Sequence, residues 1–318
     1  MPVTARPLRA SNAELVAVPA FAEGAGVRTT LREALATLAA LGQLTKPGIT
    51  RTVLVTAWAG AVIAPGPIWD YARLGFLLVG TALIVGAANA LNMYLESDVD
   101  ALMARTKNRP IPSGRLAPET ALFFGLVLGF AGIPVLDLFV NGATAFIGVL
   151  ALLSYVLAYT PMKRLSPLAV WVGAVPGAVP PLMGWTSMTG SIGLGGLSLF
   201  LLLFIWQIPH FHAIAMFRAR EYERAGLKVL PNERGTGYTT RVIVALVALE
   251  VLVSVVPVFA GLGGRGYLAV ASLAGAGYLA VAASGLRRDA GTRWARSVFF
   301  ASLPYLLIQF GALVATSG

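Results

Sequence analysis

The sequence predicts an all-α polytopic membrane protein, and three observations carry that prediction. The chain of 318 residues is 57% hydrophobic and only 12% charged, with a mean hydropathy of +0.76. That balance would leave a water-soluble domain of this size too little polar surface. Apolar runs of roughly 18 residues or more, enough to cross about 30 Å of hydrocarbon, recur along the chain. The basic residues fall in alternate connections between those runs, as the positive-inside rule requires.

Taken in order, the apolar runs predict about nine transmembrane helices, at 49–66, 74–96, 120–138, 142–160, 167–188, 196–217, 242–262, 266–286 and 297–316. Ahead of them, residues 1–40 mix arginines with Glu14, Glu23 and Glu33 and lack the pattern of a cleavable signal. This stretch is expected to be a cytoplasmic tail with an interfacial helix around Leu31 to Leu44, and 41–318 the intramembrane domain. The fifth run carries Gly173, Gly177 and Gly184 with Pro176, Pro180 and Pro181. These predict a bent, closely packed helix that makes room for a ligand. Two connections, 97–119 and 218–241, are rich in charge and both follow long apolar runs, which hints at two related halves.

The net charge of +10 is topological rather than a sign of nucleic-acid binding. With the N-terminus inside, the inner connections hold Arg6, Arg9, Arg28, Arg32, Lys46, Arg51, Arg105, Lys107, Arg109, Arg115, Lys163, Arg164 and the basic residues of 218–241 and 287–296. Only Arg73 and Arg265 fall outside. The alternation fits nine spans, a lipid bilayer and a C-terminus on the opposite side. With no cysteine, disulfide and thiolate chemistry are excluded, so polar chemistry rests on oxygen and nitrogen.

The second run ends in Asn92-Met-Tyr-Leu-Glu96-Ser-Asp98-Val-Asp100, followed by Arg105, Lys107 and Arg109. At about 100° per residue, Asn92, Glu96 and Asp100 line one helical face, and Asp98 points elsewhere. Clustered carboxylates repel unless a cation compensates. Mg²⁺ suits them, because it takes oxygen ligands and shares substrate phosphate oxygens. The neighbouring bases then suit the remaining phosphate charge. The competing reading is a solvated helix end with ordinary ion pairs; membrane-proximal charge favours function.

The sixth run ends in Trp206-Gln207-Ile-Pro209-His210-Phe-His212 and continues to Glu221 and Glu223. Helical spacing puts Gln207, His210, Phe217 and Glu221 on one stripe. Imidazole there suits heme iron or proton transfer, or simply a polar contact between helices. Off that stripe lie His212 and Glu223. Lys163 and Arg164 close the fourth run, as phosphate donors or as a positive-inside anchor. Glu250, inside the seventh run, has no evident partner in the sequence.

Asn92 through Pro110, the Tyr159-to-Arg164 segment, Trp206-Gln-Ile-Pro-His210-Phe and Glu221-Tyr-Glu-Arg-Ala-Gly226 with Leu230-Pro231 together resemble the UbiA-type intramembrane prenyltransferases. The resemblance spans about residues 40–316, and the Trp-Gln-x-Pro-His-Phe run points to the heme branch. It implies nine helices around a central cavity with two acidic motifs holding Mg²⁺ and a prenyl diphosphate. Asn92, Glu96 and Asp100 would form the first motif and Glu221 the second, as catalytic and metal-binding residues. Arg105, Lys107, Arg109, Lys163 and Arg164 would bind diphosphate, and His210, Trp206 and Gln207 heme, with His210 catalytic as well. Glu stands at 96 and 221 where the family often has Asp, and Ala225 where an Asp-x-x-x-Asp motif would have an acid. The implied reaction transfers farnesyl from farnesyl diphosphate to the 2-vinyl group of heme b, giving heme o for terminal oxidases in a bacterial inner membrane, with a heme a synthase as partner. The alternatives are prenyl transfer to an aromatic acid or quinone precursor, and a heme or lipid transporter.

Overall fold

The computed structural model describes residues 31–66, 70–287 and 290–316. The expected tail at 1–30, with Arg6, Arg9, Arg28, Glu14 and Glu23, lies outside the described residues, as does Arg288. The described elements are helical: α1 (Leu31–Leu44), α2 (Pro47–Ile63), α3 (Tyr71–Leu95), α4 (Ser97–Leu102), α5 (Pro118–Phe139) and α6 (Gly142–Leu153). A π-helical turn, Ser154–Tyr159, joins α6 to α7 (Thr160–Met162). Then follow α8 (Ala169–Thr189), α9 (Leu194–Phe217), α10 (Ala219–Arg224), α11 (Leu230–Arg234), α12 (Thr236–Val253), α13 (Val256–Phe259), α14 (Gly264–Ala283) and α15 (Thr292–Thr316).

Each of the nine expected spans is met by a helix. Among the described residues, seven helical stretches are long and apolar enough to cross a membrane, α3, α5, α9 and α15 among them. The other two positions are held by α2, at 17 residues, and by the proline-bearing α8, at 21. Large apolar side chains such as Phe123, Phe130, Leu273 and Phe259 lie exposed on the bundle's outside, which only a lipid solvent makes favourable. This is an integral membrane protein.

The helices pair chiefly as α3 with α5, α2 with α8, α8 with α9 and α14 with α15. At the α2–α8 crossing, a Cβ on Gly60 would sit 2.0 Å from the Pro181 carbonyl oxygen, and one on Gly184 2.0 Å from that of Ala57. Backbone therefore meets backbone there, the close packing expected of the glycines in α8.

The hint of two related halves has a structural counterpart. The 25-residue α3 stops at Leu95, and Glu96 (φ -111°, ψ 13°) breaks it before the six-residue α4. The 24-residue α9 stops at Phe217, and Arg218 (φ -116°, ψ 14°) breaks it before the six-residue α10. Both charged connections thus begin with the same bend. They pack on each other through Val99 and Met103 of the first and Tyr222, Ala225 and Leu227 of the second.

Candidate active site

The bend at Glu96 does not disturb the expected helical face, because the Asp100 amide still donates to the Glu96 carbonyl at 2.8 Å. Asn92, Glu96 and Asp100 are all buried, and the Asn92 amide donates to Glu96 Oε2 at 2.8 Å. Asp98 turns away as its phase requires, with its carboxylate largely exposed and gripped by both Arg164 Nη atoms at 2.9 and 2.6 Å. That hydrogen bond holds the Asp98 carboxyl below the usual carboxylate range and raises Arg164.

Two predicted phosphate-binding bases meet the buried carboxylates directly. Lys163 Nζ lies 2.5 Å from Glu96 Oε1, and Arg109 Nη1 lies 2.5 Å from Asp100 Oδ2. Repulsion between the carboxylates is thereby offset by cations, which a buried cluster needs. Arg164 is engaged by Asp98 on the exposed side, and the Lys107 side chain is exposed.

Glu221 joins this cluster through the first connection's backbone. The Arg105 amide donates to Glu221 Oε1 at 3.2 Å, and Arg218 Nη1 donates to Oε2 at 2.9 Å. Burial works to raise the Glu221 carboxyl, but these two donors hold it below its ordinary value. The two acidic segments are therefore neighbours, although among the described residues no three acidic or histidine side chains converge as a ready metal cage.

The expected heme residues behave differently from one another. Trp206 stacks on His210 at 4.7 Å and donates its indole N–H to the Ser302 carbonyl at 2.8 Å. His210 Nδ1 lies 2.7 Å from Ser302 Oγ. Since Ser302 Oγ donates to the Phe299 carbonyl at 2.7 Å, Nδ1 is the donor to Ser302 and Nε2 keeps its lone pair. Gln207 is a tie between helices: its amide nitrogen donates to the Ala174 and Leu203 carbonyls at 3.0 and 3.1 Å, with its oxygen over Gly177.

Two residues were not legible as site members. Lys46, counted in the sequence only as an inner charge, is half-buried, with Nζ donating to Asn92 Oδ1 at 2.9 Å. Burial first, then Arg109 and Lys163, push its ammonium down to about 7. Its φ of 48° is the one positive value at a described non-glycine residue, a strain of the kind kept at functional sites. His212 lines a cavity of about 100 Å³ with Tyr159, Lys163, Phe211 and Tyr222, so it sits nearer the carboxylate cluster than its phase suggested. A larger groove, about 550 Å³, runs from Glu96, Thr160 and Arg164 to Leu95, Val156 and Leu157 beside the π-helical turn. Such turns recur at functional sites.

Residues 53–303 match the model of the UbiA prenyltransferase family. The chain belongs to the UbiA prenyltransferase family. Among relatives, the protoheme IX farnesyltransferase of Sorangium cellulosum is 54% identical over 76% of this chain and 87% of its own length. That of Anaeromyxobacter dehalogenans is 47% identical over 89% and 96%. Solved UbiA-type structures share the fold: an Archaeoglobus fulgidus homologue bound to DMAPP and Mg²⁺ superposes with a TM-score of 0.65 at 14% identity, covering 86% of this chain and 98% of that one. A digeranylgeranylglyceryl phosphate synthase structure gives 0.76 at 18%, covering 88% and 98%. As a UbiA prenyltransferase, the chain has a reaction to which the buried acid–base cluster must be fitted.

Proposed function

We propose that this prenyltransferase transfers farnesyl from farnesyl diphosphate to the 2-vinyl group of heme b, releasing diphosphate and giving heme o. The observation that carries the reading is the buried set Asn92, Glu96 and Asp100 held against Lys163, Arg109 and Lys46. Oxygen donors and cations meet in one cluster, as a metal-bridged diphosphate requires. The names borne by relatives 54% and 47% identical over most of their length support the choice of heme as acceptor.

The donor set fits Mg²⁺, whose usual complement is one or two carboxylates plus phosphate oxygens. Asn92, Glu96 and Asp100 would hold it, with Glu221 on the opposing connection. Bound there, the ion supplies positive charge to the departing diphosphate. Lys163 and Arg109 then exchange a carboxylate for a phosphate oxygen, and Arg105 and Lys107 meet the remaining charge from the connection. Lys46 keeps Asn92 oriented. The groove beside Leu95, Val156 and Leu157 takes the start of the prenyl chain and excludes water from the allylic cation. His210, with Nδ1 anchored on Ser302, keeps the Nε2 lone pair for proton transfer beside the heme, and Trp206 fixes the ring plane.

The remaining parts of the reading follow from charge placement and, for the partner that takes up the product, from the family resemblance. The carboxylate end faces the cytoplasm of a bacterial inner membrane, α1 lies along the interface ahead of the intramembrane domain, and a heme a synthase receives the product. Membranes containing the chain, given farnesyl diphosphate and heme b, should yield a heme heavier by one farnesyl group and one hydroxyl, and chelating Mg²⁺ should stop this. Prenylation of an aromatic acid with heme b untouched would overturn the assignment.

A further inference from the structure

Glu250 is fully buried in α12, and nothing in the site described above uses it. Neither of its oxygens has a hydrogen-bond partner, nor has Gln309 Nε2, while the Tyr278 hydroxyl approaches the Ser302 side chain and the Tyr305 hydroxyl those of Ser254 and Gln309 without a well-formed bond. These groups belong together. The Tyr278 and Tyr305 rings lie 5.0 Å apart, and the Glu250 carboxyl is within electrostatic reach of both phenols. The Tyr267 hydroxyl, 2.8 Å from Gln309 Oε1, turns the amide so that its nitrogen faces away from Tyr267.

An apolar core formed by α9, α12, α14 and α15 surrounds this cluster. Open positions on one carboxyl and one amide, with two phenols beside them, supply the two to four polar partners that a buried water takes. The cluster is also connected. Tyr278 meets the Ser302 side chain, and Ser302 Oγ is 2.7 Å from His210 Nδ1.

We propose that Glu250, Tyr278, Tyr305 and Gln309 form an internal water site, bordering Ser302 and His210, whose water is the nucleophile for hydrating the prenylated heme. This rests on the heme reading above. In the reaction the allylic C–O bond breaks and diphosphate leaves with its electron pair. The vinyl π electrons form the new C–C bond, leaving a cation on the carbon next to the porphyrin ring. Water donates a lone pair to that carbon, and its proton passes to His210 Nε2, which makes no other hydrogen bond. Deprived of this water, the same cation loses a proton from the adjacent carbon. The product is then an alkene, lighter by one water.

The test compares membrane-embedded wild type with Glu250→Leu and Tyr305→Phe, both given farnesyl diphosphate and heme b, with heme products separated by mass. Total prenylated heme should stay within about twofold of wild type, while the ratio of hydrated to dehydrated product falls about tenfold. Leu252→Ala, on the lipid-exposed side of the same helix, should leave the ratio unchanged. A wild-type ratio in both variants overturns the proposal, and so does equal loss of both products. Should Glu250→Leu not accumulate in the membrane, Tyr305→Phe, which removes one oxygen, decides. Wild type that makes no prenylated heme at all overturns the functional reading itself.

Discussion

The acid–base pairs set the residue-scale expectations. Removing a carboxylate leaves the half-buried Lys163 or Arg109 without its counter-ion and removes an oxygen donor from the proposed diphosphate pocket. Glu96→Ala and Asp100→Ala should each lower turnover by about 100-fold or more. Both proteins should still be recovered folded from the membrane, and near-normal rates in the two variants would falsify the metal-diphosphate reading. Lys46→Met is expected to raise KM for the prenyl diphosphate by about tenfold, because it frees Asn92 and removes a cation facing Glu96 and Asp100. An unchanged KM would reduce Lys46 to a turn residue. Helical phase made Asn92, Glu96 and Asp100 legible and correctly turned Asp98 away. Lys46 was not legible, because its role comes from a left-handed turn that brings it 46 positions along the chain to Asn92.

Among the elements, the α2–α8 crossing has the least room. Gly60 and Gly184 each face a carbonyl oxygen that a Cβ would approach to 2.0 Å, and backbone atoms cannot rotate away as a side chain can. Gly184→Val should therefore push the helices apart and cost about 1–3 kcal/mol or more, read as a lower midpoint of unfolding in mixed micelles. Gly277→Val, where nothing lies within 4 Å of the added Cβ, is the matched control. The sequence showed that the glycines and prolines of α8 mark close packing, but not that α2 is the partner. Nor did it show that Gln207 reaches back to the Ala174 carbonyl. Periodicity along one helix carries phase, while the partner of a face depends on how all the helices pack.

Across the whole molecule, the matching bends after α3 and α9 bring two charged connections to one end of the bundle, where Arg105 meets Glu221. Orientation follows from which side of the membrane that end occupies. The basic residues concentrate there, and the positive-inside rule assigns them to the cytoplasm. A chain without cysteine permits a direct test, since single cysteines report without background. Lys107→Cys and Arg224→Cys, both exposed at the carboxylate end, should stay protected from an impermeant maleimide in intact cells and react in inverted vesicles. Ser191→Cys, exposed in the opposite turn between α8 and α9, should show the reverse. Labelling of Lys107→Cys from outside would place the proposed diphosphate pocket away from the cytoplasm. The charge alternation would then owe its sign to something other than topology, and a water-soluble prenyl diphosphate made in the cytoplasm could not reach the site directly.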